Sequence, residues 1–151
     1  MFSYKIDKLS LCHLNDALEL IWSVFLKCDA PDYSEEGIET FKKVIDRQSV
    51  EAKFINGEID VIGCWDGDKL VGVLAIRKPS HVWLMFVAEK YHRQGVAKNM
   101  FFEFLLNISE EKITVNSTPY AVKTYEKLGF VAQTDEQLSN GIRFVPMLMI
   151  K

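Results

Sequence analysis

Cysteine and histidine are scarce in this chain. It has three cysteines, an odd number with no C-x-x-C pair, and three histidines among 151 residues. Such cysteines do not provide the even framework of a disulfide-stapled domain, and they suit reduced thiols in a cytoplasmic protein. No group of His, Cys and Asp has the spacing of metal ligands. The sequence therefore predicts neither disulfides nor a metal site.

A basic excess and a long apolar run are also missing. The formal net charge is −3, whereas a nucleic-acid partner would require a clustered basic face. No run reaches the roughly 18 apolar residues that a membrane-spanning helix needs, and Met1 to Lys5 lack the pattern of a signal peptide. We therefore expect no nucleic acid and no membrane as partner, and a cytoplasmic location.

The chain does contain enough apolar residues for one complete core. Hydrophobic residues make up 48% of it, and it has no repeat, low-complexity segment or linker. A chain of this length can bury a full core without metal or disulfide support. The sequence predicts a single domain over residues 1–151.

The hydrophobic periodicity predicts alternating strands and helices. The predicted elements are a strand near 4–8, helices over 11–27 and after Ser34, a hairpin of 60–65 and 70–76, strands at 82–87 and 112–116, each followed by a helix, and strands at 129–133 and 142–150. Residues 48–58 are ambiguous, and Pro146 calls for an edge or a bulge. The pattern favours an α/β fold whose mixed, mostly antiparallel sheet has helices on both faces.

The most informative segment is the apolar run Val82–Val87 with the loop that follows it, Tyr91–Ala97. An unbroken apolar run is typical of a strand buried on both faces. A helical pattern begins directly after the loop, so backbone N–H groups and the positive end of a helix dipole meet at one place. Such a place favours the binding of a phosphate group. Gly95 and Ala97 suit this role because larger side chains would keep a pyrophosphate away from the amides.

A second segment, Asn116–Phe130, completes a recognisable pair of motifs. Together the two segments resemble the GCN5-related N-acetyltransferases, the GNAT superfamily. In the family's loop pattern, Gln/Arg-x-x-Gly-x-Gly/Ala, Gly95 and Ala97 match, while His92 stands where Gln or Arg is usual. The second pattern, Asn-x-x-x-x-Ala-x-x-x-Tyr-x-x-x-Gly-Phe, matches at every specified position. The resemblance implies a single GNAT-like domain with the element order described above.

The resemblance also implies acetyl-CoA as the acetyl-donor substrate. The strand at 82–87 would be bulged and would splay away from the strand at 112–116, and the pantetheine arm would lie between them. Backbone groups of Phe86 and Val87 would bind its amides, and Arg93 or Lys98 would add a charged contact to the pyrophosphate. The expected donor-binding residues are Phe86, Val87, His92, Arg93, Gln94, Gly95, Val96, Ala97, Lys98, Asn116 and Tyr125. The alternative is a plain core strand before an ordinary helix start.

Tyr125 occupies the position that the family uses for a general acid. Its hydroxyl would protonate the CoA thiolate that leaves the tetrahedral intermediate. The alternative is a core aromatic residue whose hydroxyl reaches the surface. Asn116 would bind the donor or an ordered water, or it forms an Asx turn before the helix.

The general base is less well defined by the sequence. Several family members have a carboxylate on the buried strand, but residues 82–87 contain none. His81, at the start of that strand, is a candidate base; it is otherwise a surface turn residue, and a water chain is a further route. The acidic stretch 29–36 falls where the family builds its acceptor pocket. It either favours a cationic amine or only caps a helix.

From these observations we expect an N-acetyltransferase that transfers the acetyl group of acetyl-CoA directly to a primary amine of a small molecule. One alternative is a non-catalytic acyl-CoA-binding module of the same fold. Others are an acetyltransferase for protein or peptide amines and an acyltransferase that uses longer acyl groups or hydroxyl acceptors. The family is often dimeric, which is compatible with a homodimer, although nothing in these residues requires one.

Overall fold

A mixed sheet runs through the middle of the molecule. The computed structural model describes residues 2–151, so Met1 of the predicted domain lies outside the described residues. The strands are β1 (Lys5–Lys8), β2 (Ile59–Asp66), β3 (Lys69–Arg77), β4 (His81–Val87), β5 (Lys112–Ser117), β6 (Val131–Ala132), β7 (Gln137–Ser139) and β8 (Ile142–Ile150). Their order across the sheet is β1-β2-β3-β4-β5-β8-β6, with β7 also beside β8. Neighbours are antiparallel except β4 and β5, which confirms the predicted mixed, mostly antiparallel sheet.

Five α-helices cover the two faces of the sheet within residues 2–151. They are α1 (Leu14–Val24), α2 (Glu35–Val44), α3 (Arg47–Ile55), α4 (Val96–Leu106) and α5 (Val122–Leu128). One apolar cluster packs α1 to α3 against the sheet and includes Phe25 and Phe41, and a second lies under α4 and α5 and includes Phe101. Helices on both faces were predicted from the sequence, and the two clusters confirm them.

The helix predicted over 11–27 is divided into shorter pieces. A 3₁₀ turn precedes α1, and a π-helical turn, Phe25–Asp29, follows it before a second 3₁₀ turn at Ala30–Asp32. A π-helical turn adds one residue to the helical repeat and changes which side chains face inward. Ser34 caps α2 as expected, since its hydroxyl accepts the N–H of Gly37 at 3.2 Å.

Three other parts of the chain differ from the expectation. Residues 47–55 form α3, where only Val50 is fully buried, so no apolar stripe marked the helix in the sequence. The short strand β7 was not among the predicted strands, and all three of its residues are exposed.

Pro146 is neither at an edge nor at a bulge. The strand β8 is paired on both sides, and Pro146 faces the break between β7 and β6. Its carbonyl accepts the N–H of Gln133, and its missing N–H points to the same side.

Two irregularities in β4 open the sheet. The pairing with β3 passes from Ala75↔Leu84 to Ile76↔Val82, which leaves Trp83 as an extra, bulged residue. The pairing with β5 is limited to His81↔Thr114 and Val82↔Val115, after which the two strands part. The bulge and the splay are those that the family resemblance implied.

The parting of the strands also changes the burial of β4. Val82, Leu84 and Phe86 are buried, but Trp83, Met85 and Val87 are only half-buried, so the expectation of a strand buried on both faces is wrong. Beyond Val82, β4 has a neighbouring strand only on the β3 side, because β5 has parted from it. The bulge also moves Leu84 and Phe86 into the cluster of α1 and α2, while Val82 remains in the cluster of α4.

Candidate active site

A cavity of about 990 Å³ opens where β4 and β5 part. Its walls come from the outer half of β4, the end of β5, the start of α4, α5, and the segment that joins α1 to α2. The volume lies at the upper end of the range of roughly 300–1,000 Å³ for small-molecule sites. A long, flexible ligand can therefore lie along it.

One end of the cavity is the loop between β4 and α4. Gly95 is the N-cap residue of α4 and has φ +81°, a left-handed conformation, and no side chain caps the helix. Arg93 is also left-handed, with φ +65°. Backbone N–H groups in such a turn, together with the helix dipole, favour an anion. Arg93 and Lys98 line the cavity here and add positive charge.

His92 connects this loop to β4. Its Nε2 lies 2.7 Å from the carbonyl oxygen of Val87, so that nitrogen carries a proton and donates it there. The residue lines the cavity, but this ring nitrogen is already bonded within the protein. The departure from the family pattern at His92 therefore fixes the position of the loop against the end of the strand.

Two residues proposed from the sequence are not brought into the cavity. The Gln94 side chain accepts the hydroxyl of Tyr4 at 2.6 Å and donates to the carbonyl of Lys90 at 3.2 Å. His81 is half-buried at the closed end of β4, where its Nδ1 lies 2.8 Å from Oγ1 of Thr114. Burial, with a smaller effect of Arg77, lowers the pKa of His81. Neither side chain lines the cavity, so Gln94 has only its backbone to offer and His81 is separated from Tyr125.

Tyr125 lies on α5 with its ring held in the core. It is 5% exposed, lines the cavity, and packs edge-on against Phe130 with 5.4 Å between ring centroids. Gly129, with φ +108°, ends α5 and turns the chain so that the N–H of Phe130 donates to the carbonyl of Tyr125. Burial, and then the charge of Asp29, raises the pKa of Tyr125 well above its usual value. The hydroxyl therefore keeps its proton at neutral pH.

Asn116 and Thr118 line the cavity beside Tyr125. Asn116 is near the end of β5, and Thr118 follows the strand and caps the turn before α5, with its hydroxyl accepting the N–H of Ala121 at 3.3 Å. Both positions follow from the second sequence motif. They bring polar groups to the middle of the cavity.

Asp29 is the main site residue that sequence reasoning did not single out. It lies at the end of the π-helical turn, lines the cavity and is 5% exposed, and its Oδ1 is buried without a hydrogen-bond partner. Burial raises the pKa of Asp29 to about 6; the Thr118 hydroxyl lowers it in part, and the charge of Asp32 raises it further. In the sequence Asp29 was only one of several acids in the stretch 29–36. Its burial depends on contacts between distant parts of the chain.

The far wall of the cavity is held by long-range polar contacts. The Tyr33 hydroxyl donates to the carbonyl of Arg143 at 3.0 Å, and Thr40 donates to the carbonyl of Asn140 at 2.7 Å. Arg143 donates to both carboxylate oxygens of Glu136, at 2.8 and 3.1 Å. Burial, and next the charge of Asp29, raises the pKa of Tyr33 to about 12. These contacts fix α2 against the start of β8, and no local sequence signal indicates them.

The structure thus gathers most of the expected donor-binding residues around one cavity. Those that line it are Phe86, Val87, His92, Arg93, Gly95, Val96, Ala97, Lys98, Asn116 and Tyr125. The cavity is basic at the α4 end and has a buried acid, Asp29, elsewhere in its wall. Within residues 2–151 no cluster of His, Cys, Asp and Glu could hold a metal ion.

A family profile described as the acetyltransferase (GNAT) domain matches residues 29–151. The chain belongs to this acetyltransferase family. No curated protein sequence matches it at a significant level. Of the helices in residues 2–151, none is long and apolar enough to cross a membrane.

Solved structures with the same fold span the whole chain. A GCN5-related N-acetyltransferase from Rhodopseudomonas palustris superposes with a TM-score of 0.86 at 18% identity, covering 100% of this chain and 98% of that one. The PaiA N-acetyltransferase of Thermoplasma acidophilum, solved with coenzyme A, gives 0.80 at 18% identity and 99% of both chains. Escherichia coli ElaA gives 0.66 at 17% identity, with 97% and 99% covered. At such identities the likeness shows the GNAT fold.

Proposed function

We propose that this protein is an N-acetyltransferase that moves the acetyl group of acetyl-CoA directly to a primary amine of a small molecule. The observation that carries the proposal is the parting of β4 from β5 after two residue pairs. It opens a cavity that has the uncapped N-terminus of α4 at one end and Tyr125 in its wall. This arrangement matches what a CoA thioester requires: a phosphate site, an extended channel and a proton donor for the thiolate.

The residues present fit the donor substrate. The loop from His92 to Lys98 would hold the pyrophosphate through backbone N–H groups, helped by Arg93 and Lys98. Backbone groups of Phe86 and Val87 beyond the bulge would bind the pantetheine amides as a neighbouring strand would. The Val87 carbonyl already accepts a bond from His92, but a carbonyl oxygen has two lone pairs and can accept a second.

Most of the rate would come from positioning. The fixed strand and loop would hold the thioester beside the amine, which removes much of the entropic cost of bringing two reactants together. A backbone N–H of β4 would stabilise the oxyanion that forms on the acetyl group. Tyr125, whose hydroxyl lies in the cavity wall and is protonated at neutral pH, would donate its proton to sulfur as the C–S bond breaks.

The proposal predicts that Tyr125→Phe slows amine-dependent thiol release by about tenfold or more, equivalent to about 1.4 kcal/mol of barrier. The measurement is thiol release from acetyl-CoA across a panel of small primary amines, together with calorimetric binding of CoA. Binding should be nearly unchanged because the substitution removes only a hydroxyl. Ser80→Ala, which removes a hydroxyl that donates to the carbonyl of Lys112 outside the cavity, is the control and should retain wild-type turnover.

Two results would contradict the proposal in different ways. If acetyl-CoA binds but no amine in the panel is acetylated, a binding module of the same fold is favoured over an enzyme for small amines. If CoA does not bind at all, the interpretation of the loop at Gly95 fails.

A further inference from the structure

Asp29 is an unusual residue to find in the wall of this cavity. A carboxylate that is 5% exposed, with a buried and unpaired Oδ1, is unfavourable in a folded protein unless something compensates for it. The protein supplies no cation for it: the Thr118 hydroxyl lowers the pKa of Asp29 in part, but no Lys, Arg or His of residues 2–151 does so. The carboxylate is therefore an anion without a cation in a cavity open to ligands.

The groups around Asp29 are polar but uncharged at neutral pH, apart from Asp32. Thr118 approaches it from the turn after β5, Tyr120 lies in the same turn, Tyr125 is on α5, and Cys28 and Tyr33 flank it in sequence. Burial raises the pKa of Cys28, Tyr33 and Tyr125, and the hydrogen bond with Cys28 raises that of Tyr120; the Asp29 charge adds to each shift. All four groups are neutral near pH 7. The pocket around Asp29 thus contains hydrogen-bond donors and one negative charge.

A π-helical turn of the backbone places Asp29 in the wall of the cavity. The π-helical turn Phe25–Asp29 extends α1 beyond its regular part and ends at Asp29, one residue before the 3₁₀ turn that leads to α2. Such turns occur frequently at functional sites, because the added residue redirects a side chain. In this chain the redirected side chain is the carboxylate.

We propose that Asp29 is the general base of the acetyl transfer and binds the acceptor as a primary alkylammonium ion. This inference rests on the proposed function and deepens it, because it assigns the acceptor class and the residue that removes the acceptor's proton. The Asp29 carboxylate, which lines the cavity and whose Oδ1 has no partner in the protein, accepts an N–H of the ammonium group. The side chains of Thr118 and Tyr33, which also line the cavity, place polar groups around the acceptor.

The proposed reaction is balanced in protons. Asp29 takes one proton from the ammonium ion, which frees the nitrogen lone pair. The neutral amine then attacks the acetyl carbonyl carbon, a C–N bond forms, and the C–S bond breaks as Tyr125 gives its proton to sulfur. The second proton of the attacking nitrogen replaces the one that Tyr125 gave up, and Asp29 releases its proton to solvent after the amide leaves.

The first experiment compares Asp29→Asn with Asp32→Asn. Asparagine keeps the shape of the side chain but cannot take a proton, and Asp32 is an exposed acid of the same segment. With benzylamine at saturating acetyl-CoA we expect Asp29→Asn to lower kcat/KM by about 100-fold or more, and Asp32→Asn to change it by less than about twofold. CoA affinity should be the same in both. An aromatic amine that is already neutral should show a much smaller defect, since it has no proton to lose before it attacks.

A second measurement does not depend on turnover. The carboxyl carbon of Asp29, assigned by the loss of its signal in Asp29→Asn, is titrated by ¹³C NMR in the CoA-bound protein with and without benzylamine. Bound ammonium should lower the midpoint by about half a pH unit or more.

The outcomes separate the two proposals. If the wild type acetylates benzylamine and Asp29→Asn is equally active, the base role is overturned while the proposed function remains. If the wild type acetylates nothing, the proposed function fails, and the titration still decides whether Asp29 binds an ammonium ion. If benzylamine leaves the titration midpoint of Asp29 unchanged, the proposal that Asp29 binds an ammonium ion is overturned as well.

Discussion

At the residue scale, the site depends on groups held in states that cost stability. Asp29 is buried without a counter-ion, and Arg93 and Gly95 have left-handed backbones. Burial, and next the charge of Asp29, raises the pKa of both Tyr125 and Tyr33. Groups of this kind concentrate at functional sites, where the fold supports what local preference does not.

Asp29 makes the free energy of unfolding depend on pH. The native state holds its proton more tightly than the unfolded chain, with a pKa of about 6 against 3.8, so stability falls as pH rises through this window. At about pH 7.5, Asp29→Asn should therefore raise the free energy of unfolding by at most about 3 kcal/mol. Near pH 4 the gain should nearly vanish, because the native carboxyl is then protonated. Urea unfolding of the protein without ligands at both pH values measures it.

The control for this prediction is again Asp32→Asn, which should show no comparable dependence on pH. A gain from Asp29→Asn that is equal at both pH values would mean that packing, and not the charge, is responsible.

At the element scale, the N-terminus of α4 is the part of the cavity wall whose position is easiest to predict from the sequence. The motif Gly95-Val96-Ala97 is local, and its chemistry follows from backbone conformation alone. The positions of Tyr125 and Asn116 could also be predicted because motif and element coincide. Asp29 could not be predicted, because its burial requires the π-helical turn, the turn at Thr118 and α5 to meet. Equally, nothing local indicates that His92 bonds to Val87 or that Tyr33 bonds to Arg143.

Gly95→Ala tests the loop as an anion site. A residue with a side chain is strained at φ +81° by about 1–2 kcal/mol, and its Cβ would come within 3.1 Å of Nδ2 of Asn99. We expect a loss of stability and, in addition, a loss of CoA affinity of about tenfold or more. Calorimetry with CoA and thermal unfolding measure the two effects.

Gly57→Ala is the matched control for this loop variant. Gly57 also has a left-handed backbone, φ +75°, but lies in an exposed turn with no atom within 4 Å of an added Cβ. It should lose stability without losing affinity. If both variants weaken CoA binding equally, backbone strain rather than the site explains the effect.

At the scale of the whole molecule, the sheet consists of two parts joined by a short ladder. One part is β1 to β4 and the other is β5 to β8, and β4 meets β5 through two residue pairs only. Helix packing on the two faces keeps the parts together. The overall order of elements was predictable because most strands and helices carry their own periodicity; the exposed β7 and the helix α3 do not.

This division predicts where a bound CoA thioester changes hydrogen exchange. The amides of residues 83–87 that face β5 have no strand partner, so they should exchange quickly in the free protein and more slowly with CoA bound. Amides of β2, paired on both sides by β1 and β3, should change little and serve as the internal control. Equal protection of both strands would indicate general stabilisation instead of a ligand beside β4.

The bulge at Trp83 and the parting of the strands also expose the interior of the sheet to other chains. Beyond Val82 and Val115, β4 and β5 present strand edges to the cavity, and a free edge is a template for any extended peptide, including a second copy of the same chain. A ligand lying in this opening would cover both edges. If acetyl-CoA binds there as proposed, it would also hinder pairing of these edges with other chains.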